Sequence, residues 1–228
     1  MMVTVRGRSK LTAQTLDALI GSAPPGMKLL VIDNGSRDQT LDDLYKRFRL
    51  GQIHRLVCNK VDSIPQWEKS YDIRQAVGLL RCENADYFGW IDNDVVVNPG
   101  WFAAAQMTLQ QLPEVEVCSL HNDPIQEKRH KTECIKSVGP YSVRIKKTVN
   151  GAIWVMRWGF FSKHGLPPIG LGINRKGTED WYYSDRLQTN GEAHFGVLDG
   201  FSTHLGYKES LKREAIAKIE KYPVGIDK

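Results

Sequence analysis

Asp92 and Asp94 flank Asn93 at the end of one apolar run, Tyr87-Phe88-Gly89-Trp90-Ile91, and a second run, Val95-Val96-Val97, follows at once. A buried strand excludes carboxylates, because they lose much of their hydration there. Acids at the edge of such a run must be solvated, paired or bound to a cation. A strand that ends at Ile91 places both acids at its carboxyl end, the side on which open α/β sheets bind ligands. Two carboxylates there suit a divalent metal and, through it, a diphosphate. The plainer reading is a turn, since Asp and Asn are common turn residues.

Three other stretches carry candidate chemistry. The apolar run 28–32 leads into Asp33-Asn34-Gly35-Ser36, and a helix over 41–48 follows. Asp33 is placed to accept a hydrogen bond from a base N–H or a ribose hydroxyl, and the helix start favours anionic groups. An ordinary Asx turn is the competing reading. Further on, Thr178 precedes Glu179-Asp180 and an aromatic run, the pattern of a helix start with Thr178 as its N-cap. The two acids either offset the helix dipole, worth ~0.3–1 kcal/mol each, or supply a general base at the mouth of a pocket. From Lys128 to Lys147, seven lysines and arginines face the single acid Glu133. A solvated loop is the usual meaning of such a run; an anionic partner is the other.

The elements that must position these residues alternate. Strands are expected over 2–5, 28–32, 53–58, 87–91 and 115–120. Helices are expected over 11–20 (with Ser9 as N-cap), 41–48, 67–80 and 101–112. Arg6-Gly7-Arg8 forms a basic turn after the first strand. Arg74, in the helix over 67–80, is a candidate for phosphate or base contact, with a surface salt bridge as the plainer reading. The second half adds strands at 151–156 and 195–198, a short helix ending at Gly165, and an amphipathic helix over 208–220. This alternation predicts an α/β fold with a mostly parallel central sheet flanked by helices, in a single domain over 1–228.

Composition narrows the classes. With 41% hydrophobic and 25% charged residues in 228, the chain is an ordinary globular sequence rather than a fibrous or disordered one. It has no apolar run long enough to cross a bilayer, and no apolar stretch follows its charged start as in a secretory signal. The cysteines, Cys58, Cys82, Cys118 and Cys134, form no CxxC pair, so reduced thiols and a cytoplasmic location are expected. The net charge of +5 favours acidic partners in general.

Taken in order, VIDNGSRDQT (31–40), YFGWIDNDVVVNPGW (87–101), NGAIWVMRWGFF (150–161) and GTEDWYYSDRL (177–187) resemble the family 2 glycosyltransferases of the GT-A (Rossmann-like) fold. The resemblance implies a nucleotide-sugar donor, usually a UDP-sugar, a Mn²⁺ or Mg²⁺ ion, and an inverting transfer of a hexosyl or pentosyl group. It implies a nucleotide-sugar-binding half over 1–120 and an acceptor-binding and catalytic half over 121–228. Carried onto this sequence, Asp33 contacts the nucleotide base and Asp92 the ribose, and Arg6, Arg8, Arg74 and Asn93 are further candidates for donor contact. Asp92-Asn93-Asp94 is the DXD motif, with Asp92 and Asp94 on the metal and His204 completing its shell. Asp180 is the catalytic base, with Glu179 beside it. Trp154, Trp181, Lys128 and Arg129 lie in the acceptor half, where a basic, aromatic groove suits an anionic acceptor such as a phosphate-containing glycan or nucleic acid.

The sequence departs from the family at Arg6-Gly7-Arg8, where Pro-Thr-Tyr-Asn is frequent, and in its shortness after His204. Two other readings stand beside the transferase: a GT-A-like module that binds a nucleotide sugar or nucleic acid without catalysis, and a nucleotidyltransferase. The second normally shows a Gly-rich phosphate loop, which Arg6-Gly7-Arg8 matches poorly.

Overall fold

The computed structural model describes residues 1–60, 69–121, 124–169, 179–189 and 194–206. The expected helix over 208–220 and the proposed cap Thr178 lie outside them. The apolar runs become strands β1 (Met2–Val5), β2 (Leu30–Asp33), β3 (Arg55–Cys58), β4 (Tyr87–Asp92), β6 (Val115–Ser119), β9 (Ile153–Arg157) and β10 (His194–Leu198). Helices α1 (Ser9–Gly21), α2 (Thr40–Arg49), α3 (Lys69–Leu80), α4 (Trp101–Gln111), α6 (Phe160–His164) and α7 (Glu179–Thr189) alternate with them.

The basic stretch is built, not loose. It forms α5 (Pro124–Arg129) and a hairpin of β7 (Thr132–Val138) and β8 (Tyr141–Lys146), turning at Gly139. The expected solvated loop is thus corrected. Val143 and Ile145 alternate inward along β8, and that period outweighs the charge of their neighbours. Lys146 is itself buried and pairs at 2.7 Å with Glu127 of α5, which also accepts the Thr132 hydroxyl.

Among the described residues, nine strands form one sheet in the order β3-β2-β1-β4-β9-β6-β10-β8-β7. β3, β2, β1 and β4 are mutually parallel, as are β6 and β10, while β9 and β8 run against their neighbours. A separate ribbon pairs β5 (Val95–Val97) with β11 (Ser202–His204). Successive strand residues face opposite sides, so Val3, Val31, Ile91 and Val155 pack with Leu16, Leu44, Ala105 and Leu109 of α1, α2 and α4. Met2, Ile32, Trp90 and Trp154 pack on the other side with Ile73, Phe160 and Tyr183 of α3, α6 and α7. The result is a sheet covered on both faces, the condition that parallel strands require.

Ser9 is not the cap of α1. Arg8 holds the N-cap position at φ 60°, ψ 49°, and the Ser9 N–H donates to Asp38 Oδ2 at 3.2 Å. Asp38 also accepts from the Thr40 N–H, so one carboxylate closes the starts of α1 and α2.

Candidate functional site

The strand order reverses between β1 and β4, with β2 and β3 on one side of the break. The crevice outside the carboxyl ends at such a switch point is where doubly wound sheets bind ligands. β1 leaves it through Arg6-Gly7-Arg8 and β4 through Asp92-Asn93-Asp94, with Thr4 in register with Asp92. Asn93 ties the two exits together: its amide donates to the Gly7 carbonyl at 3.1 Å and to Thr12 Oγ1 at 2.8 Å. Both amide hydrogens are engaged, so Asn93 brackets the β1–α1 turn.

The ribbon brings in the third ligand. β11 runs antiparallel to β5 with His204 opposite Val95, and the Leu205 N–H donates to the Asp94 carbonyl at 2.7 Å. His204 Nε2 then lies 3.6 Å from Asp94 Oδ1. One ligand atom each from Asp92, Asp94 and His204 lie within 4.8 Å of one another. A Cβ at Gly206 would stand 2.0 Å from Asp94 Oδ2, so bare backbone is required to leave that carboxylate its place. Two carboxylates suit Mg²⁺ or Mn²⁺, and an imidazole shifts the preference toward a transition metal. The donor set and its cradle therefore fit a divalent cation. The His121 ring lies behind His204, with centroids 5.4 Å apart.

Sequence reasoning missed Lys69. Its ammonium lies 2.5 Å from Asp92 Oδ1, 3.2 Å from Glu179 Oε1 and 3.1 Å from the Gly151 carbonyl. Burial works against its charge, but Asp92 and then Glu179 outweigh burial and hold it above the usual lysine range. The available signal was its spacing: Lys69 precedes Ile73, Ala76 and Leu80 by 4, 7 and 11 positions, which places it on the inner stripe of α3.

Glu179 and Asp180 open α7 as expected, but their surroundings differ. Glu179 is buried against Lys69, whereas Asp180 is half-buried and accepts from the Trp181 N–H at 2.9 Å and from the Gly151 N–H. Burial, and then the neighbouring Glu179, push the Asp180 carboxyl up to about 6. Gly151 permits this arrangement, since a Cβ there would meet Glu179 Oε1 at 3.0 Å and Asp180 Cβ at 3.3 Å. Two indoles fix the loop beneath: Trp90 Nε1 donates to the Gly151 carbonyl and Trp154 Nε1 to that of Asn150.

That contact corrects the reading of Trp154. It is fully buried, packed on Trp90 and Phe195 at centroid distances of 4.8 and 5.0 Å, and has no face for an acceptor. Trp181, in contrast, is 66% exposed. It lines a cavity of 80 Å³ together with Arg129, His130, Thr148 and Asp180. Lys128 is exposed at the end of α5 beside Arg129.

Two donor-side expectations also change. Arg74 Nε donates to the Pro167 carbonyl at 2.7 Å, clasping the segment after α6. Asp33 is buried and turned onto Ser36, accepting from its hydroxyl and, at 3.1 Å, from its N–H. In this conformation it makes the Asx turn that was the plainer reading. Arg6 is half-buried at the end of β1, and Arg8 forms an ion pair with Asp94. A 340 Å³ cavity lined by Met1, Trp101 and Trp158 lies toward the opposite strand ends and contains none of the candidate residues.

No family profile and no curated protein matches the sequence. Solved structures do match the fold. A mannosyltransferase from Pyrobaculum calidifontis, PcManGT, in complex with GDP-Man and Mn²⁺, aligns over 97% of this chain and 63% of its own, with a TM-score of 0.62 and 15% identity. GalNAc-T7 with UDP, GalNAc and Mn²⁺ aligns over 89% of this chain and 43% of its own, with a TM-score of 0.61 and 14% identity. S. aureus TarS 1–349 aligns over 96% of this chain and 64% of its own, with a TM-score of 0.57 and 14% identity. The chain thus spans less than two thirds of each of these proteins. Among the described residues, no helix is long and apolar enough to cross a membrane. The strand order, the acids at its switch point and these structural likenesses agree: the chain has a GT-A-like glycosyltransferase fold.

Proposed function

We propose that this chain is a metal-dependent, inverting glycosyltransferase that moves a sugar from a nucleotide-sugar donor to an acceptor hydroxyl. The observation that carries the reading is the convergence of Asp92, Asp94 and His204 at the switch point, linked through Lys69 to the acid pair Glu179–Asp180. Asp92, Asp94 and His204 would hold the metal, with Mn²⁺ favoured by the imidazole. When bound, such an ion supplies Lewis-acid stabilisation of the departing diphosphate.

The chain's own residues divide the remaining work. Lys69 pairs with Glu179, and Asp180 lines the cavity it shares with Trp181 and Arg129, on the acceptor side. A carboxyl near 6 is ionised at neutral pH yet basic enough to take a proton from a hydroxyl as it attacks. A single base beside the donor site fits one displacement, which inverts the anomeric centre. Trp181 offers an exposed ring on which a sugar or base can stack, and Arg129 and Lys128 offer charge to an anionic acceptor. In this reading residues 1–120 bind the donor and 121–228 supply the base and the acceptor surface. The free thiols Cys58, Cys118 and Cys134 fit a cytoplasmic setting.

The test is donor turnover. With Mn²⁺ and a panel of UDP- and GDP-sugars, the wild-type chain should release nucleoside diphosphate by slow transfer to water, and Asp180→Asn should lower that rate by ~10²–10⁴-fold. Absence of release with every donor, under conditions where the chain is folded, would overturn the reading.

A further inference from the structure

Both carboxylates of the candidate metal site already have a protein cation. Lys69 pairs with Asp92 at 2.5 Å, and the Arg8 guanidinium pairs with Asp94. Neither pair is a loose surface contact. The Lys69 side chain is 15% exposed and the Asp94 side chain 6%, and Lys69 is further held by Glu179 and the Gly151 carbonyl. Arg8 is set in the left-handed region at the head of α1, so its direction is fixed by the turn that Asn93 brackets. A divalent cation that approached these carboxylates alone would meet two positive charges in a partly dry crevice, where like charges repel more strongly than in water. A diphosphate reverses this. Its oxygens accept charge-assisted hydrogen bonds from a guanidinium and an ammonium, releasing the carboxylates those groups were holding.

We propose that Lys69 and Arg8 are exchangeable counter-charges, which hold Asp92 and Asp94 in the absence of donor and pass to the diphosphate when it arrives. Divalent cation and nucleoside diphosphate then bind as a coupled pair, each weakly without the other. This rests on the donor-site reading above and adds to it a positioning role for Lys69, together with a reason for an arginine at position 8. By reciprocity, the factor by which the nucleotide tightens the cation equals the factor by which the cation tightens the nucleotide.

The experiment is a titration of the full chain with Mn²⁺, reading free Mn²⁺ by electron paramagnetic resonance, alone and with saturating UDP or GDP, with the Mn²⁺ held by the nucleotide itself subtracted from a protein-free titration. For the wild type, the nucleotide should tighten Mn²⁺ by about tenfold or more, within the range of ordinary coupling energies. Lys69→Met should bind Mn²⁺ alone several-fold more tightly than wild type and show less coupling, and Lys69→Arg should restore the wild-type pattern. Arg8→Gln alters the more exposed of the two cations and gives an independent reading if Lys69→Met fails to fold. Equal Mn²⁺ affinity with and without nucleotide would overturn the proposal while leaving a donor site in place. So would coupling that both variants leave unchanged, or weaker binding of Mn²⁺ alone in both. No binding of Mn²⁺ or nucleotide in any combination would overturn the donor-site reading itself, and this inference with it.

Discussion

Replacing Asp180 with Asn should stabilise the protein, and by an amount that grows with pH. The Asp180 carboxyl is raised from 3.8 to about 6, first by burial and then by Glu179. A raised acid binds its proton more readily in the folded state than in the unfolded one, so wild-type stability falls as pH rises from about 4 through 6. Across the window from pH 5 to pH 8 the rise from 3.8 to about 6 gives a loss on the order of 1 kcal/mol. Asparagine carries no charge and keeps an oxygen for the Trp181 and Gly151 N–H groups, so it escapes this loss. The assay is urea denaturation of both proteins at pH 5 and pH 8 in equal salt. Asp180→Asn should gain about 1 kcal/mol relative to wild type between the two pH values, solvent access trimming the full figure. A relative stability that is the same at both pH values, or that falls, would refute the argument that Asp180 carries an energetically costly charge. The same substitution should lower turnover by the ~10²–10⁴-fold of a lost general base, the trade expected where a site is built for function rather than stability.

Gly206→Ala should remove Mn²⁺-dependent nucleotide binding while the chain stays folded by circular dichroism, because a Cβ there would displace Asp94 Oδ2 from 2.0 Å away. Trp154→Ala should cost ~3–5 kcal/mol in urea unfolding, as expected for loss of a buried aromatic. Trp181→Ala, on an exposed ring, should change stability by less than about 0.5 kcal/mol and raise the acceptor KM. Replacing Lys128 and Arg129 with Gln should weaken an anionic acceptor at low salt and have less effect at high salt; identical KM values at both ionic strengths would remove these two side chains from the acceptor surface.

The parts of this structure legible in the sequence are those written in local pattern. β1, β2 and β4 read directly as apolar runs, and the acids at the end of β4 stood out because no buried strand tolerates them. The fold class followed from the alternation of those runs with helical stretches. The hairpin of β7 and β8 did not, because seven basic residues masked the alternation of Val143 and Ile145. Trp154 and Trp181 look alike in sequence, yet one lies in a strand covered on both faces and the other on the open side of α7; only the packing separates them. Lys69, Gly151 and Gly206 belong to the site through contacts 82 to 112 positions apart, from Gly151 to Lys69 or Gly206 to Asp94. Such distances leave no trace in a local window. Arg74, Asn93 and Asp33 were noticed for chemistry and are used in this structure to hold loops.

The most direct test of the central claim, that Asp92, Asp94 and His204 form a metal-dependent donor site, is thermal stabilisation by a panel of nucleotides and nucleotide sugars, with and without Mn²⁺, in wild type and Asp94→Ala. A ligand that binds only the folded chain raises its melting temperature by mass action. At least one nucleoside diphosphate should give a shift that requires Mn²⁺ and vanishes in Asp94→Ala. A shift of equal size without Mn²⁺, or one that persists in Asp94→Ala, would contradict it.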